Sequence, residues 1–497
     1  MRRFGVTLLS ACALGAASRN SFPADCGSPE EFSQGLRNSL SSAAAIYLPG
    51  SEEFEEVTTR WSQFDIPTVN VAVVPATEDD VAKTVRRAND CGLPVLAFNG
   101  IHGAITTLGR MDRGVAIHLR QLSSVIVAQD GGTATIGGGA LSKAVTDALW
   151  ASGKQTVTGT CECVSYLGPA LGGGHGWLQG HHGLVADQFV SINIVLADGT
   201  LKTIDSSSDL WWAIKGAGHN FGIVTSVTAK VYDIEHRDWA IETLTFSGDK
   251  VEAVYEATNR YLSNLPAGLI NWSWWLNAAD VDPDRPIILF FIIQEGVATV
   301  DPAYVNPFRN IGPISSETQS GSYRDLATWT MIAVDSAPCQ IAGNANVRFP
   351  IYVREYNVTA LREAYDIFAA NVGGANSPFS GSTFLFEGYP QQGVQSIDGD
   401  STAFAFRDDS LLFAARLGYK PAGKELDDQA ARLGNQLRDI IYRGSGREEL
   451  HVYVNYAYGN EKPEGWYGYE KWRQARLKEL KHKYDPEGHF SFYAPIE

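Results

Sequence analysis

Apolar positions along the chain recur first with the period of a helix. Thr77 is followed three residues later by Asp80, and Val81, Val85 and Ala88 share one face, so a capped helix is predicted to open at Thr77. The apolar run 93–98 predicts a strand leading directly into Asn99-Gly100-Ile101-His102-Gly103. β-Branched runs predict short strands at 125–127 and 134–136, the second entering Gly137-Gly138-Gly139 and then a helix over about 141–150. From Ser191 to Asp233 the pattern reads strand, Asp198-Gly199 turn, strand, and a further strand after Gly222. Residues 40–233 therefore read as an α+β unit with mixed short strands.

The texture changes after Asp233. Predicted strands at 241–246, 270–276 and 287–294 are longer and aromatic, the second carrying Trp272, Trp274 and Trp275. Helical patterns fall at 250–262, 359–372 and 424–442, and a broad sheet with helices on one face is the simplest arrangement. The alternation at 450–456 predicts a strand with Tyr453 and Asn455 on one face and Val454 and Tyr456 on the other. A last helix at 469–483 is stopped by Asp485-Pro486. Neither an internal repeat nor a heptad run interrupts this order.

Composition narrows the function classes. Hydrophobic residues make up 44% of the 497 and charged residues 19%, enough apolar material for more than one large core. The net charge of −16 comes without a basic run, so neither a nucleic-acid backbone nor an anionic membrane is an expected partner. At the N-terminus, Arg2 and Arg3 precede an apolar run from Phe4 to Ala17, followed at once by polar residues; residues 1–18 read as an export signal. Sequons at Asn271 and Asn357 fit a secreted or secretory-pathway protein. Of the 6 cysteines, cleavage would remove Cys12 and leave an odd set: Cys26, Cys91, Cys161, Cys163 and Cys339. In an oxidising compartment one thiol would then be free, or bonded to something other than cysteine.

Two stretches carry candidate chemistry. Gly168-Pro169-Ala170-Leu171-Gly172-Gly173-Gly174-His175-Gly176 would let main-chain N–H groups approach a phosphate or a flat ring, although a glycine run is also a common structural turn. It matches neither the dinucleotide fingerprint nor a P-loop. The run 209–224 interleaves glycines with aromatics and enters a β-branched strand, a way to lay backbone against a planar ligand. No His or Cys pair has ordinary zinc spacing, and His181-His182 would point apart in a strand, so no metal site is expected. A G-x-S-x-G nucleophile elbow is absent from the sequence.

The run Gly159-Thr160-Cys161-Glu162-Cys163-Val164, the Leu171–Gly176 loop and Gly183-Leu184-Val185-Ala186-Asp187, in that order, resemble the flavin-domain signature of the berberine-bridge-enzyme-like oxidoreductases. These belong to the vanillyl-alcohol-oxidase/PCMH flavoprotein superfamily. Val195–Gly199, the 209–224 run, Tyr453-Val454-Asn455-Tyr456 and Lys483–Pro486 continue the resemblance over nearly the whole chain. It implies a two-subdomain PCMH-type FAD-binding domain at 19–233, a substrate domain with a large antiparallel sheet covered by helices at 234–445, and a segment at 446–497 returning to the flavin domain.

The resemblance also assigns roles. His102 stands where the family attaches the flavin 8α-methyl, and Cys161 matches the cysteine bonded to ring carbon C6, so FAD held at both residues is expected. The family's usual Gly-Gly before the histidine is here Gly100-Ile101, which alters the loop. Cofactor contacts are expected from Asn99, Gly100, Ile101, Gly103, Val164, Gly168, Gly172, Gly173, Gly174, Gly176, Gly183, Asp187, Gly222, Ile223, Val224 and Asn455. Tyr453 matches the family's candidate base; Glu387, in the 384–388 run of the substrate-domain sheet, is a second candidate outside that resemblance. A disulfide from Cys161 to Cys163 or Cys339 is the competing reading of that thiol, whereas flavin bonding would leave four cysteines to pair. The expected activity is a monomeric oxidase. It removes hydride from an alcohol or activated C–H of a small secondary metabolite, with or without cyclisation, and passes electrons to O2 to give H2O2. A carbohydrate oxidase, and a flavin-holding binding protein or redox-neutral cyclase, are the alternatives.

Overall fold

A computed structural model describes residues 26–262, 265–374 and 376–497. The export signal and Cys12 lie outside the described residues.

The N-terminal half, here called the flavin half after the expectation above, holds two main sheets and a two-stranded ribbon of Lys154–Gln155 with Tyr232–Asp233. In the first, Val69–Val74, Gly114–His118 and Val95–Phe98 run parallel, and Ala45–Tyr47 adds an antiparallel edge. The crossover helix, Glu78–Asp90, starts where the pattern predicts. The Thr77 hydroxyl accepts the Asp80 N–H, and the Asp80 carboxylate takes back the Thr77 N–H. Burial alone would raise the Asp80 carboxyl, but donors from Ser41, Thr77 and Ala76 hold it below its ordinary value. The second sheet, in the order Val125–Val127, Thr133–Gly137, Ile223–Lys230, Phe189–Val195, Leu201–Asp205, is antiparallel throughout. The Asp198-Gly199 turn forms as predicted, with Gly199 at φ 75°.

The other half is a seven-stranded antiparallel sheet in the order Ser315–Gly321, Trp239–Phe246, Asp282–Glu295, Leu269–Ala278, Thr383–Gly388, Leu411–Tyr419, Ala345–Val353. The helices Val358–Val372 and Lys424–Gly444, with Val251–Leu262, cover one face. The two-residue period of a strand decides which aromatics join that core: Trp275, Phe384 and Phe386 pack beneath the helices. Their neighbours Trp272, Trp274, Leu385 and Glu387 point the other way, into a cavity against the flavin half.

Three expectations are corrected. The stretch 450–456 forms no strand. Its backbone partners are scattered, with the His451 carbonyl accepting from Tyr352 and the Val452 N–H donating to Gly465, and Val454–Tyr456 is a single 3-10 turn that follows Tyr453. Three residues per turn bring Tyr453 and Tyr456 to the same side, the reverse of the strand reading. His181 and His182 lie in the short helix Gln179–His182, where His181 pairs with Glu295 and His182 stacks on Tyr232. Finally, Asn271 is only 4% exposed inside the central strand Leu269–Ala278, so the folded protein offers no glycan acceptor there. Asn357 is exposed and caps the Val358–Val372 helix.

Candidate active site

A cavity of about 280 Å³ lies between the flavin half and the uncovered face of the large sheet. Two loops of the flavin half form one wall and touch backbone to backbone. A Cβ on Gly100 would sit 2.9 Å from the Cys163 carbonyl oxygen, so only glycine lets the 99–103 loop approach the 161–165 loop this closely. The next residue, Ile101, holds φ 57°, a left-handed conformation that is costly for a β-branched side chain. That strain is the local consequence of isoleucine standing where the resembling sequences carry glycine.

This approach brings the two candidate attachment residues together. Cys163 is disulfide-bonded to Cys339 and Cys26 to Cys91, which leaves Cys161 as the free cysteine among the described residues. The Cys163 sulfur lies 3.6 Å from the Cys161 sulfur and 3.5 Å from His102 Nε2, so thiol and imidazole flank one atom. The competing disulfide reading of Cys161 is not what the structure forms. Burial, then the charges of Arg348 and Arg60, push His102 down to about 3, so its imidazole is neutral with a free lone pair. Burial pushes the Cys161 thiol up to about 11.

Across the cavity, Glu387 is 2% exposed and accepts hydrogen bonds from the Tyr389 hydroxyl at 2.9 Å and the Tyr456 hydroxyl at 3.0 Å. Burial raises its carboxyl to about 7, against the lowering effect of those donors and of Arg348. Tyr453 also faces the cavity, its oxygen accepting the His175 N–H at 3.4 Å, and burial raises its phenol above the ordinary tyrosine value. His175 bridges Gln179 at 2.8 Å and the Tyr352 hydroxyl at 2.7 Å.

Of the residues singled out in the sequence, His102, Cys161, Asn99, Gly100, Ile101, Gly103, Val164, Gly168, Tyr453 and Asn455 line the cavity. Others lie outside its wall. Gly173 and Gly174, at φ 101° and 84°, pack against Phe404 and Val185, and Gly172 against Asn455. Gly176 packs on the Thr158 carbonyl, Gly222 on the Val195 carbonyl, and Ile223 and Val224 pair with Val195 and Ile194. Asp187 accepts the Leu184 N–H beside Gly183 and forms a two-pronged ion pair with Arg407. Phe404 and Phe406 sit behind the cavity, packed with Tyr352 and Tyr453. His219 of the 209–224 run also lines it, as do Arg60, Trp61, Arg348 and Arg416, which the sequence did not mark. No local motif marks those four, and Arg348 and Arg416 reach the flavin loops only where the two halves meet.

The lining suits a flat, hydrogen-bonding ring. His219 Nδ1, Arg60 Nη1 and the indole nitrogens of Trp272 and Trp274 are buried there without a protein partner. A planar group bearing carbonyls and ring nitrogens would satisfy such atoms, and the paired His102 and Cys161 offer two points for covalent attachment.

Comparison with known proteins agrees. The family model described as "FAD binding domain" matches residues 69–205, and that described as "Berberine and berberine like" matches 452–497. FAD-linked oxidoreductase chyH of Penicillium rubens is 59% identical over 93% of this chain and 93% of that protein. The chain belongs to the berberine-bridge-enzyme-like FAD-linked oxidoreductases. FAD-linked oxidoreductase chry5 of Gibberella zeae is 53% identical over 93% of this chain and 94% of its own. Among solved structures, glucooligosaccharide oxidase from Acremonium strictum, described with a 6-S-cysteinyl, 8α-N1-histidyl FAD, aligns with TM-score 0.78. The alignment covers 94% of this chain and 99% of that one at 18% identity, a likeness of fold. As a berberine-bridge-enzyme-like protein, the chain is an FAD enzyme built on a PCMH-type fold.

Proposed function

We propose that this FAD-linked oxidoreductase oxidises an alcohol or activated C–H of a small secondary metabolite, with O2 as electron acceptor and H2O2 as co-product. The observation that carries the reading is the pairing of a neutral His102 and the free Cys161 around one sulfur in the cavity wall. FAD, when bound there, supplies the hydride acceptor and the reaction with oxygen. The chain's own groups bind the substrate and take its proton.

Glu387 is the proton acceptor in this reading. It is buried, faces the cavity and ionises close to neutrality, where a general base works best. Tyr456 and Tyr389, both hydrogen-bonded to it, orient the carboxylate and close the wall around it. Tyr453, the candidate base of the sequence, has a phenol raised by burial and by the neighbouring Glu387 charge, so it serves here as an aromatic wall that positions the substrate.

Trp272, Trp274, Leu385 and Tyr389 make the substrate side chiefly aromatic and apolar, which favours a conjugated metabolite over a sugar. The two disulfides support an oxidising compartment, in keeping with an exported protein. Acid precipitation of the purified protein tests the cofactor reading, since yellow colour staying with the pellet establishes covalent flavin. Anaerobic substrate addition should bleach the flavin band and air should restore it. Flavin that never bleaches with any candidate metabolite would count against an oxidase.

A further inference from the structure

The cavity carries more positive charge than its chemistry so far requires. Arg348 and Arg416 are directly opposite each other on the neighbouring strands Ala345–Val353 and Leu411–Tyr419, and both face the cavity. Like charges directly across a sheet destabilise it unless something offsets them. Glu387 acts on Arg348 only at longer range, and among the described residues no carboxylate lies within ion-pair distance of either guanidinium. Arg416 spends its donors on Thr383, Asn346 and the Gly381 carbonyl. Among the described residues Arg348 has no hydrogen-bond partner; its guanidinium rests on the faces of Trp61 at 4.5 Å and Tyr456 at 4.8 Å. Arg60 adds a third cation on the flavin side, bonded to the Gly103 carbonyl. The histidines of the cavity, His102, His175 and His219, are neutral, and Glu387 is its one carboxylate. This cationic pocket sits in a chain of net charge −16.

We propose that Arg348 is a substrate-recognising residue that pairs with a carboxylate on an aromatic or conjugated substrate. The inference rests on the oxidase reading above and adds to it the class of substrate. The planar guanidinium fork matches a carboxylate in two parallel hydrogen bonds, and all its donors are available. The rings beneath it fix its orientation, so little freedom is lost on binding. Trp272 and Trp274, on the same sheet face, present aromatic surface and two unpaired indole N–H groups to the body of such a ligand. Arg416, with its donors already used, contributes field rather than contact. Arg348 and Glu387 line the same cavity, so a carboxylate held by the first and a carbon deprotonated by the second would share one pocket.

Benzoate and its neutral isostere benzamide test this on the purified holoenzyme, with quenching of tryptophan fluorescence and perturbation of the flavin spectrum as two separate readouts. Benzoate should bind roughly ten-fold or more tightly than benzamide, with a dissociation constant that rises with salt. Arg348→Gln should abolish that preference while leaving benzamide binding and flavin content unchanged, and Arg348→Lys should retain part of it. Equal binding of the two probes, no benzoate binding, or an Arg348→Gln protein that still prefers benzoate would each overturn the proposal. So would a variant that changes only the affinity of the flavin for sulfite, since Arg348 would then serve the cofactor. Loss of the oxidase reading has a different signature: flavin that no substrate reduces, with the benzoate preference still read by tryptophan.

Discussion

At the residue scale the arrangement rests on two small facts, a glycine at 100 and an odd cysteine at 161. The glycine lets two loops touch, and the pairing of Cys163 with Cys339 leaves Cys161 unbonded beside His102. Each attachment should hold the flavin alone, so His102→Ala and Cys161→Ala should each keep covalent flavin, and the double variant should release it on denaturation. Peptide mass mapping checks this directly; a flavin adduct on Cys163 would contradict the assignment. Glu387 makes a second claim. Its carboxyl is raised from 4.5 to about 7, so the basic form accumulates only above neutrality and turnover should rise with pH through about 7. Glu387→Gln should remove that limb and lower kcat by about 100-fold or more while flavin content stays constant. The same shift has a stability counterpart with a definite sign. The folded protein binds this proton more tightly than the unfolded chain, so its contribution is complete below about 4.5 and is lost as pH rises through about 7. Denaturation of Glu387→Gln should lack that part of the slope.

At the scale of elements, capping and periodicity made much of the fold legible. Thr77 and Asp80 mark the Glu78–Asp90 helix because the reciprocal hydrogen bonds are local, and the aromatic strands at 269–278 and 282–295 advertise a buried sheet. In the large sheet three strands carry no readable sequence signal. Ser315–Gly321 is polar and almost wholly exposed at the sheet edge, and Leu411–Tyr419, buried along most of its length, lacks alternation. Ala345–Val353 contains Pro350, which argues against a strand from sequence but is tolerated here because this strand too is an edge. Missing the last two meant missing Arg348 and Arg416. The 3-10 turn at Val454–Tyr456 is the opposite error, an alternating pattern that never found a ladder. Its shape has a testable result: it delivers the Tyr456 hydroxyl to Glu387, where the donor favours the carboxylate. Tyr456→Phe should therefore raise the Glu387 pKa and move the acid limb of the pH–rate profile upward, whereas Tyr453→Phe should alter substrate affinity with the limb in place.

At the scale of the whole molecule, the halves are held in register by buried polar links. Asp187 of the flavin half and Arg407 of the other are almost fully buried, paired at 2.9 and 2.8 Å, with Arg407 also bonded to Val394 and Thr402. The C-terminal segment returns to the flavin half through Lys481, which donates to the Asn220 carbonyl at 2.8 Å, and through Ile496, which donates to the Asn220 side chain. Removing one partner of a buried pair strands the other charge. Arg407→Met should cost about 3–5 kcal/mol in denaturant unfolding. Replacing Asp187 by Leu in the same protein should recover a large part of that loss, which a double-mutant cycle measures. Because Asp187 lies outside the cavity wall, the destabilised variant should still carry covalent flavin when it folds.

The sequence by itself determined the α+β class, the capped crossover helix and the helix-covered aromatic sheet. Each of these depends on periodicity, hydrogen bonds or steric needs that act within a few residues. The flavin loops were legible in another way, through ordered motifs around His102 and Cys161–Val164 that resemble the family signature. Tertiary structure alone decided which cysteine stays free, because pairing depends on where Cys339 arrives across 176 residues of chain. It also decided that Glu387 ionises near neutrality, since burial between the two halves supplies the largest part of that shift. The same holds for the opposed guanidiniums of Arg348 and Arg416. They are 68 residues apart in number, and only strand register sets them side by side at the cavity.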